Sequence, residues 1–203
     1  MKLYSSIGPN PHVVRMFAAE KGLKLDIVEV DLMKGENREA AHLGRNPAGQ
    51  TPALELDDGT FISEITAICE YLEEKHPTPA LIGATPEQRA ETRMWVRRFD
   101  ENVIWPLING FRYAEGAPLF TGRVPVYPEI APQLKALALD RQKWIDGMIA
   151  GRTYFCGDRF TLADIIAFAF LGFGAAVGQK INPEATHLAA WFERVKSRAS
   201  AAA

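Results

Sequence analysis

The stretch Asn46-Pro47-Ala48-Gly49-Gln50-Thr51-Pro52 is a turn-rich loop that leads into a short series of well-marked elements. Two apolar runs, at residues 53–56 and 60–62, lie on either side of Asp57-Asp58-Gly59. An Asp-Gly turn between two such runs predicts a β-hairpin. Ser63 is placed to cap a helix that continues to about Lys75. Residues 46–75 therefore indicate a loop, a hairpin and a helix in that order.

The segment before this loop predicts a β-α-β unit. A strand at Leu3-Tyr4 leads through a turn into an amphipathic helix, which Gly22 is placed to end. Residues 25–30 are rich in β-branched side chains and predict a second strand, and residues 34–42 predict a short irregular helix. A strand, a helix and a strand in succession favour a parallel pair with a right-handed crossover. The first half is therefore predicted to be an α+β domain of the order βαβ-ββα.

The segment after residue 76 predicts helices only. The closely spaced prolines of Pro77-Thr78-Pro79 indicate a linker, and Thr85-Pro86-Glu87-Gln88 is a capping box with proline at the first helical position. That helix is expected to continue towards Trp105. Further helices are expected over about 128–150, 162–173 and 186–198, before an alanine-rich tail that we expect to fray. We therefore predict domains at 1–76 and 86–203, joined by a linker at 77–85.

Composition excludes several classes of protein. The 203 residues are 47% hydrophobic and 24% charged, with a formal net charge of -2 and no long basic run, so nucleic acid is not an expected partner. No stretch approaches the roughly 18 apolar residues of a membrane span, and the N-terminus has no apolar signal region. Two cysteines in a chain of this length argue against a disulfide framework and indicate a reduced, cytoplasmic compartment. The four histidines have no metal-ligand spacing, so no metal is expected.

The motifs together resemble the cytosolic glutathione transferases over nearly the whole chain. Asn46-Pro47-x-Gly49-x-Thr51-Pro52 and the later Ser63-Glu64-Ile65-x-Ala67-Ile68 look like that family's glutathione-binding signature. Thr161-Leu162-Ala163-Asp164 resembles its C-terminal capping box, which is structural. The resemblance implies a thioredoxin-like first domain, an all-helical second domain, glutathione as co-substrate and a homodimer.

The resemblance also implies which residues hold glutathione. A cis Thr51-Pro52 bond would turn the main chain of Thr51 outward, so that it could pair with the tripeptide as an added strand does. Glu64 and the free N–H groups at the start of its helix suit the ammonium and carboxylate of the γ-glutamyl end. Many relatives carry serine or threonine in place of Ile65, so here only the main-chain N–H of Ile65 remains. Gln50 stands where many relatives carry lysine, and its amide could reach the cysteinyl or glycyl end.

A donor beside the sulfur is needed to stabilise the glutathione thiolate, because a free thiol has a pKa of about 8.5. The serine position of theta- and zeta-like relatives falls on Gly8, which has no side chain to donate. The run Gly8-Pro9-Asn10-Pro11 most resembles nu-class and related bacterial proteins, so Asn10 is the first candidate for the catalytic donor. Ser5 and Ser6 are the reserve candidates. Asn10 could instead be a helix cap or turn residue, and the two roles are compatible.

An acceptor site is expected along the first long helix of the second half and the stretch beyond it. Aromatic side chains and one cation are concentrated there, which suits an apolar, aromatic or anionic electrophile; these residues are Phe99, Trp105, Phe111, Arg112, Tyr113 and Phe120. Aromatic residues at helical spacing also build cores, and some of these must do so.

Three functions remain open on the sequence. The first is transfer of glutathione to an apolar electrophile or a disulfide, with a glutathione-dependent disulfide reductase as an alternative enzyme. The second is a non-catalytic glutathione-binding or protein-interaction module, supported by the departures at Gly8 and Ile65. The third is a dedicated metabolic reaction, such as dehalogenation, isomerisation or ether cleavage, on the same scaffold.

Overall fold

The computed structural model describes all residues from 1 to 203. The chain divides into two compact units. The first consists of residues 1–84 together with 199–203, and the second of residues 85–198. The tail that the sequence analysis assigned to the helical half is thus part of the first unit.

The first unit is built on a four-stranded mixed sheet. The strands are β1 (Lys2–Ser5), β2 (Asp26–Glu29), β3 (Ala53–Glu55) and β4 (Phe61–Ser63), in the spatial order β2-β1-β3-β4. Strand β1 pairs parallel with β2 and antiparallel with β3, and β3 pairs antiparallel with β4. Three helices accompany the sheet: α1 (Pro9–Glu20), α2 (Ala40–Leu43) and α3 (Ile65–Lys75). The predicted βαβ-ββα order is confirmed.

Helices α1 and α3 pack against each other and bury the apolar positions that the sequence pattern marks. Leu3 and Leu54 of the sheet, Phe17 of α1 and Ile68 of α3 have no exposed surface. A second buried cluster on the sheet contains Tyr4, Val30 and Ala53, with Val28 packed against it. The alternation along β1, with Leu3 buried on one side and Tyr4 on the other, shows that this central strand is covered on both faces.

Two local expectations in this unit need correction. Ser63 does not cap α3: it ends β4, and Glu64 is the residue that precedes the helix, with a φ of 69°. The irregular helix expected over 34–42 is a 3₁₀ turn at Glu36–Arg38 followed by α2. The polar composition of this segment gives no apolar period from which such a break could be located.

The second unit is helical throughout. Its helices are α4 (Pro86–Phe99), α5 (Trp105–Arg112), α6 (Ala117–Phe120), α7 (Ala131–Ile149), α8 (Leu162–Ala176) and α9 (Thr186–Lys196). A π-helical turn at Asp100–Ile104 joins α4 to α5, so the long helix predicted past Phe99 continues with one irregular turn. The aromatic core of the second unit contains Phe155 between Trp95 and Trp191, with ring centroids 5.3 Å and 4.8 Å from that of Phe155, respectively. No helix in the chain has both the length and the apolar composition needed to span a membrane.

The alanine-rich tail is ordered, which corrects the expectation that it frays. Residues Ala199–Ala202 form a 3₁₀ helix. The hydroxyl of Ser200 donates to the carboxylate of Glu20 on α1, and the His12 imidazole lies 3.0 Å from the carbonyl oxygen of Ala201. Polar contacts with α1 therefore hold a segment whose own sequence carries no signal for them.

Candidate functional site

The N-terminus of α1 presents one residue with free hydrogen-bond donors. Gly8 precedes the helix with a φ of 114°, and no side chain caps the first turn. Pro9 and Pro11 have no N–H group, so Asn10 carries the only main-chain N–H among the first three helical positions. Its side chain is exposed. Asn10 therefore offers both an N–H and an amide at the positive end of a helix, and it is not the N-cap residue.

The two reserve candidates are both buried: Ser5 ends β1, and Ser6 begins the loop that follows it. The guanidinium of Arg15 donates to the Ser5 hydroxyl at 2.7 Å and to the Ser6 carbonyl at 3.3 Å. Burial lowers the pKa of Arg15 below its usual range. These contacts tie the loop after β1 to the second turn of α1.

A hydroxyl pair brings the loop after β1 to the loop before β3. Ser6 Oγ lies 2.5 Å from Thr51 Oγ1, and it also donates to the Ile7 carbonyl at 3.1 Å. The Thr51-Pro52 bond is cis, as the resemblance implied. Sheet pairing of β3 begins at Ala53, so it does not use the main chain of the half-buried Thr51.

The Gln50 side chain is exposed, whereas the main chain beneath it is held from inside. The Gln50 carbonyl accepts hydrogen bonds from Asn46 Nδ2 and His42 Nε2, each at 2.9 Å. The Gly49 carbonyl accepts one from Asn37 Nδ2 at 2.6 Å. Asn37, His42 and Asn46 are all buried. The sequence analysis did not predict these hydrogen bonds, because nothing in a polar loop sequence shows which polar side chains turn inward.

The start of α3 leaves its first N–H groups without a side-chain cap. Glu64 is exposed and Ile65 is half-buried. Thr66, one position further on, is exposed and brings a hydroxyl to the first turn that the sequence analysis did not consider. This end of α3 can hold an anion through main-chain donors and the Thr66 hydroxyl, with Glu64 beside it to hold a cation.

Arg38 is a second residue that the sequence analysis missed. Its Nη1 would lie 3.0 Å from a Cβ added to Gly49, so the guanidinium borders the loop that contains Gln50 and Thr51. The Arg38 side chain is exposed. A cation at this loop is complementary to a ligand that carries carboxylates.

A cavity of about 390 Å³ lies beside the loop after β1. Ile7 and Met33, both largely exposed, give it apolar surface, and its remaining lining residues are Glu29, Val30, Asp31, Leu32 and Glu36. The Asp31 carboxylate lies 3.1 Å from the Lys34 ammonium, and the Asp31 N–H donates to Glu36. The cavity therefore combines apolar surface with negative charge.

The aromatic residues expected to line an acceptor site differ in exposure. Phe99 is 1% exposed and packs edge-on against Phe155, so it belongs to the core of the helical unit. Trp105 is 54% exposed. Phe111 contacts Phe173 edge-on with ring centroids 5.1 Å apart, and Tyr113 contacts Tyr127 in the same way at 5.6 Å.

Arg112 is packed rather than presented as an open cation. Its Nη1 donates to Asn109 Oδ1 at 2.9 Å, and its guanidinium carbon lies 5.1 Å from the centre of the Phe120 ring. Its buried Nε has no partner within the chain. Of the predicted acceptor residues, Trp105 is the one with a broadly exposed ring.

Neither cysteine is placed for thiol chemistry. Cys69 and Cys156 are free and buried, and burial raises the pKa of both thiols. The structure contains no group of three or more His, Cys, Asp or Glu side chains that could hold a metal ion.

The capping box of α8 lies in the interior of the helical unit. Thr161 and Asp164 have no exposed surface. Asp164 accepts hydrogen bonds from the N–H groups of Phe155 and Thr161, from the Thr161 hydroxyl and from the indole of Trp191. Burial raises its pKa to about 6, although these four hydrogen bonds act in the opposite direction. Asp164 thus joins the start of α8 to α9, through Trp191, and to the loop before α8, through Phe155.

Two family models match this chain. The model described as the N-terminal domain of glutathione S-transferase matches residues 7–75. The model described as the C-terminal domain of glutathione S-transferase matches residues 129–199. Together they cover more than half of the sequence.

The alignments with known proteins of similar sequence and structure extend over nearly the whole chain. Glutathione S-transferase 2 of Saccharomyces cerevisiae is 35% identical over 197 residues, which are 95% of this chain and 84% of that protein. The crystal structure of Gtt2 from Saccharomyces cerevisiae has a TM-score of 0.92 at 33% identity and covers 98% of both chains. That of a glutathione S-transferase domain-containing protein of Marinobacter aquaeolei VT8 has a TM-score of 0.91 at 36% identity, covering 98% of this chain and 99% of that one.

Proposed function

The chain belongs to the glutathione S-transferase family and is a glutathione transferase, and we propose that Asn10 is the residue that stabilises the glutathione thiolate. The observation that carries this proposal is the start of α1, where two prolines leave Asn10 with the only free helical N–H. Its side-chain amide is exposed beside that N–H. Ser5 and Ser6 are buried and hold the loop, so in this proposal they position Asn10 and do not contact the sulfur.

Asn10 would act by favouring the charged form of the thiol. A hydrogen bond to the thiolate and the positive end of a helix both lower the pKa of the sulfur below about 8.5. The thiolate then attacks an electrophilic carbon or sulfur, and the group displaced there leaves with the bonding electrons. A donor that bonds the thiolate more strongly than the thiol raises the fraction of nucleophile at neutral pH.

The rest of the tripeptide would be held by the two loops and the start of α3. We assign main-chain pairing with the cysteinyl residue to Thr51, next to the cis Pro52. The N-terminus of α3 at Ile65 and Thr66, with Glu64 beside it, suits the γ-glutamyl carboxylate and ammonium. Gln50 lies in the loop from which the glycyl carboxylate would be reached, and Arg38 borders that loop.

The acceptor is proposed to be a neutral, apolar electrophile. Ile7 and Met33 offer apolar surface beside the loop that precedes Asn10 and α1, and the carboxylates around that cavity disfavour anions. Trp105 offers an exposed ring in the helical unit, whereas Arg112 is packed against Asn109 and Phe120. We expect Trp105→Ala to raise KM for the acceptor without changing KM for glutathione. Arg112→Ala tests the expectation of an anionic acceptor. If the acceptor is anionic, this variant should lose more kcat/KM with anionic electrophiles than with neutral ones.

The decisive experiment measures glutathione binding by calorimetry and thiolate absorbance against pH. Wild type is compared with Asn10→Ala, with Ser5→Ala and Ser6→Ala as the rival positions, and with Asn102→Ala as a control asparagine in the helical unit. We expect glutathione bound to wild type to show a lowered thiol pKa. Asn10→Ala removes the side-chain amide and keeps the main-chain N–H, so it should raise this pKa part of the way back towards about 8.5. A shift that persists in Asn10→Ala and disappears in Ser5→Ala or Ser6→Ala assigns the thiolate to that serine.

We also propose a two-fold homodimer, which the resemblance implies. Sedimentation at micromolar concentration should give twice the chain mass of 22.5 kDa. A species of the single-chain mass alone rejects the dimer.

A further inference from the structure

Two main-chain carbonyls of the loop before β3 are held by side chains that are buried in the first unit. Asn37 donates to the carbonyl of Gly49, and His42 and Asn46 both donate to the carbonyl of Gln50. Asn37, His42 and Asn46 are 6%, 2% and 3% exposed, respectively. A carbonyl oxygen only accepts, so His42 Nε2 must carry the hydrogen in this contact.

Holding the Gln50 carbonyl also sets the direction of the Thr51 N–H. The bond between Gln50 and Thr51 is not among the cis peptide bonds of the chain, so it is trans. In a planar trans peptide the C=O and the following N–H point in opposite directions. Two donors that draw the Gln50 oxygen towards the interior therefore turn the Thr51 N–H away from it.

His42 makes a more specific contribution to this arrangement than Asn46. Asn46 also shapes its own turn, because its Oδ1 accepts from Ala48 N at 3.1 Å and its carbonyl accepts from Gly49 N at 2.8 Å. The His42 ring makes a single hydrogen bond, to Gln50, and its buried Nδ1 has no partner. A polar ring buried for one contact is costly for stability alone, since one of its nitrogens is left unsatisfied.

We infer that His42 is a positioning residue for glutathione, which fixes the Gln50–Thr51 peptide so that the Thr51 N–H faces the tripeptide. The inference rests on the proposed role of Thr51 in binding glutathione. His42 itself touches no substrate. Its effect is to remove the freedom of a peptide plane that would otherwise be ordered only when the ligand binds.

The test compares His42→Phe, which keeps a ring of similar size without a donor, with His42→Gln, which keeps an amide donor. Steady-state kinetics are measured with glutathione and with a neutral aromatic electrophile. We expect His42→Phe to raise KM for glutathione about three- to tenfold, the usual worth of one hydrogen bond. KM for the electrophile and kcat at saturating glutathione should stay unchanged, and His42→Gln should recover most of the loss. His187→Phe, an exposed histidine of the helical unit, is the matched control and should leave all three values unchanged.

The outcomes separate this inference from the function on which it rests. If wild type fails to bind glutathione, the proposed function is wrong. If wild type binds glutathione and His42→Phe binds it equally well, or loses affinity for both substrates alike, the inference is wrong. A measurement on the unaltered protein covers the case in which His42→Phe does not fold. Glutathione should then shift the amide resonance of Thr51 and protect it from exchange, and an unchanged Thr51 amide overturns the inference.

Discussion

The ammonium group of Lys21 lies 2.6 Å from the carboxylate of Glu73, and neither side chain is more than 1% exposed. Lys21 also donates to the carbonyls of His76 and Pro79, each at 2.7 Å. Glu73 accepts from three consecutive N–H groups, those of Leu81, Ile82 and Gly83. The buried pair therefore holds both ends of the segment that follows α3.

Removing one partner of this pair should destabilise the chain strongly. Lys21→Met leaves the Glu73 carboxylate buried without its cation, and we expect a loss of about 3–5 kcal/mol in the free energy of unfolding. Glu73→Leu should cost at least as much, because three N–H groups lose their acceptor. Urea unfolding monitored by circular dichroism measures both losses.

The control for this prediction is an exposed ion pair with the same distance between nitrogen and oxygen. Arg97 and Glu101 are also 2.6 Å apart, but their side chains are 73% and 52% exposed. Arg97→Ala should therefore cost less than about 1 kcal/mol. Similar losses for Lys21→Met and Arg97→Ala would show that burial of the Lys21–Glu73 pair does not govern its contribution.

The Lys21–Glu73 pair also shows where sequence reasoning about this fold stops. The order of strands and helices could be predicted, because apolar periods, prolines and capping residues are local signals. The anchoring of residues 76–83 could not be predicted, because it depends on a lysine more than fifty residues earlier in the chain. Ser200 and Glu20 are a second case, since their contact joins the end of α1 to a residue 180 positions later.

For the candidate site, the sequence predicts which residues contact glutathione, but it does not show which other residues hold them in place. Asn10, Gln50, Thr51 and Glu64 follow from motif spacing. The hydrogen bonds to Ser5 and Ser6, by contrast, come from Arg15 of the next helix, and one of the two to the Gln50 carbonyl comes from His42. Such contacts are set by packing, so neither Arg15 nor His42 carries a local signal for its role.

The titration of Asp164 should make the stability of the helical unit depend on pH. Its pKa in the folded chain is about 6, above the ordinary value of 3.8, so the folded state binds more protons than the unfolded state between these values. The contribution of Asp164 to stability therefore falls as pH rises from about 4 to about 6, by up to about 3 kcal/mol, and is constant above about pH 7.

The comparison of wild type with Asp164→Asn isolates this effect from the other carboxyl groups. The variant cannot titrate at this position, so its deficit in unfolding free energy should be larger at pH 5 than at pH 7.5. Urea unfolding at the two pH values provides the measurement. A deficit that stays constant, or that grows with pH, would contradict a raised pKa for Asp164 in the folded chain.

The contact between the Ser6 and Thr51 hydroxyls should couple the two loops in glutathione binding. Ser6→Ala and Thr51→Ala each remove one side of the contact at 2.5 Å. We expect the double variant to lose less binding free energy than the sum of the single variants, with a coupling of about 0.5–1.5 kcal/mol. Calorimetry with glutathione on the four proteins measures it. Thr51→Ser keeps the hydroxyl and should retain the coupling, whereas additive losses would mean that the two loops bind independently.

Gly49 should be irreplaceable because of its neighbours as well as its backbone. Its φ is 61°, and an added Cβ would lie 3.0 Å from Arg38 Nη1, 3.1 Å from the Asn37 carbonyl and 3.2 Å from a Leu43 methyl. Gly59 has a similar φ of 84° but nothing within 4 Å of an added Cβ, so Gly59→Ala measures the cost of backbone conformation alone, roughly 1–2 kcal/mol. We expect Gly49→Ala to cost more than this in urea unfolding and to weaken glutathione binding, which Gly59→Ala should leave intact. If the two variants lose equal stability and bind glutathione equally well, the packing around Gly49 does not support the Gln50–Thr51 loop.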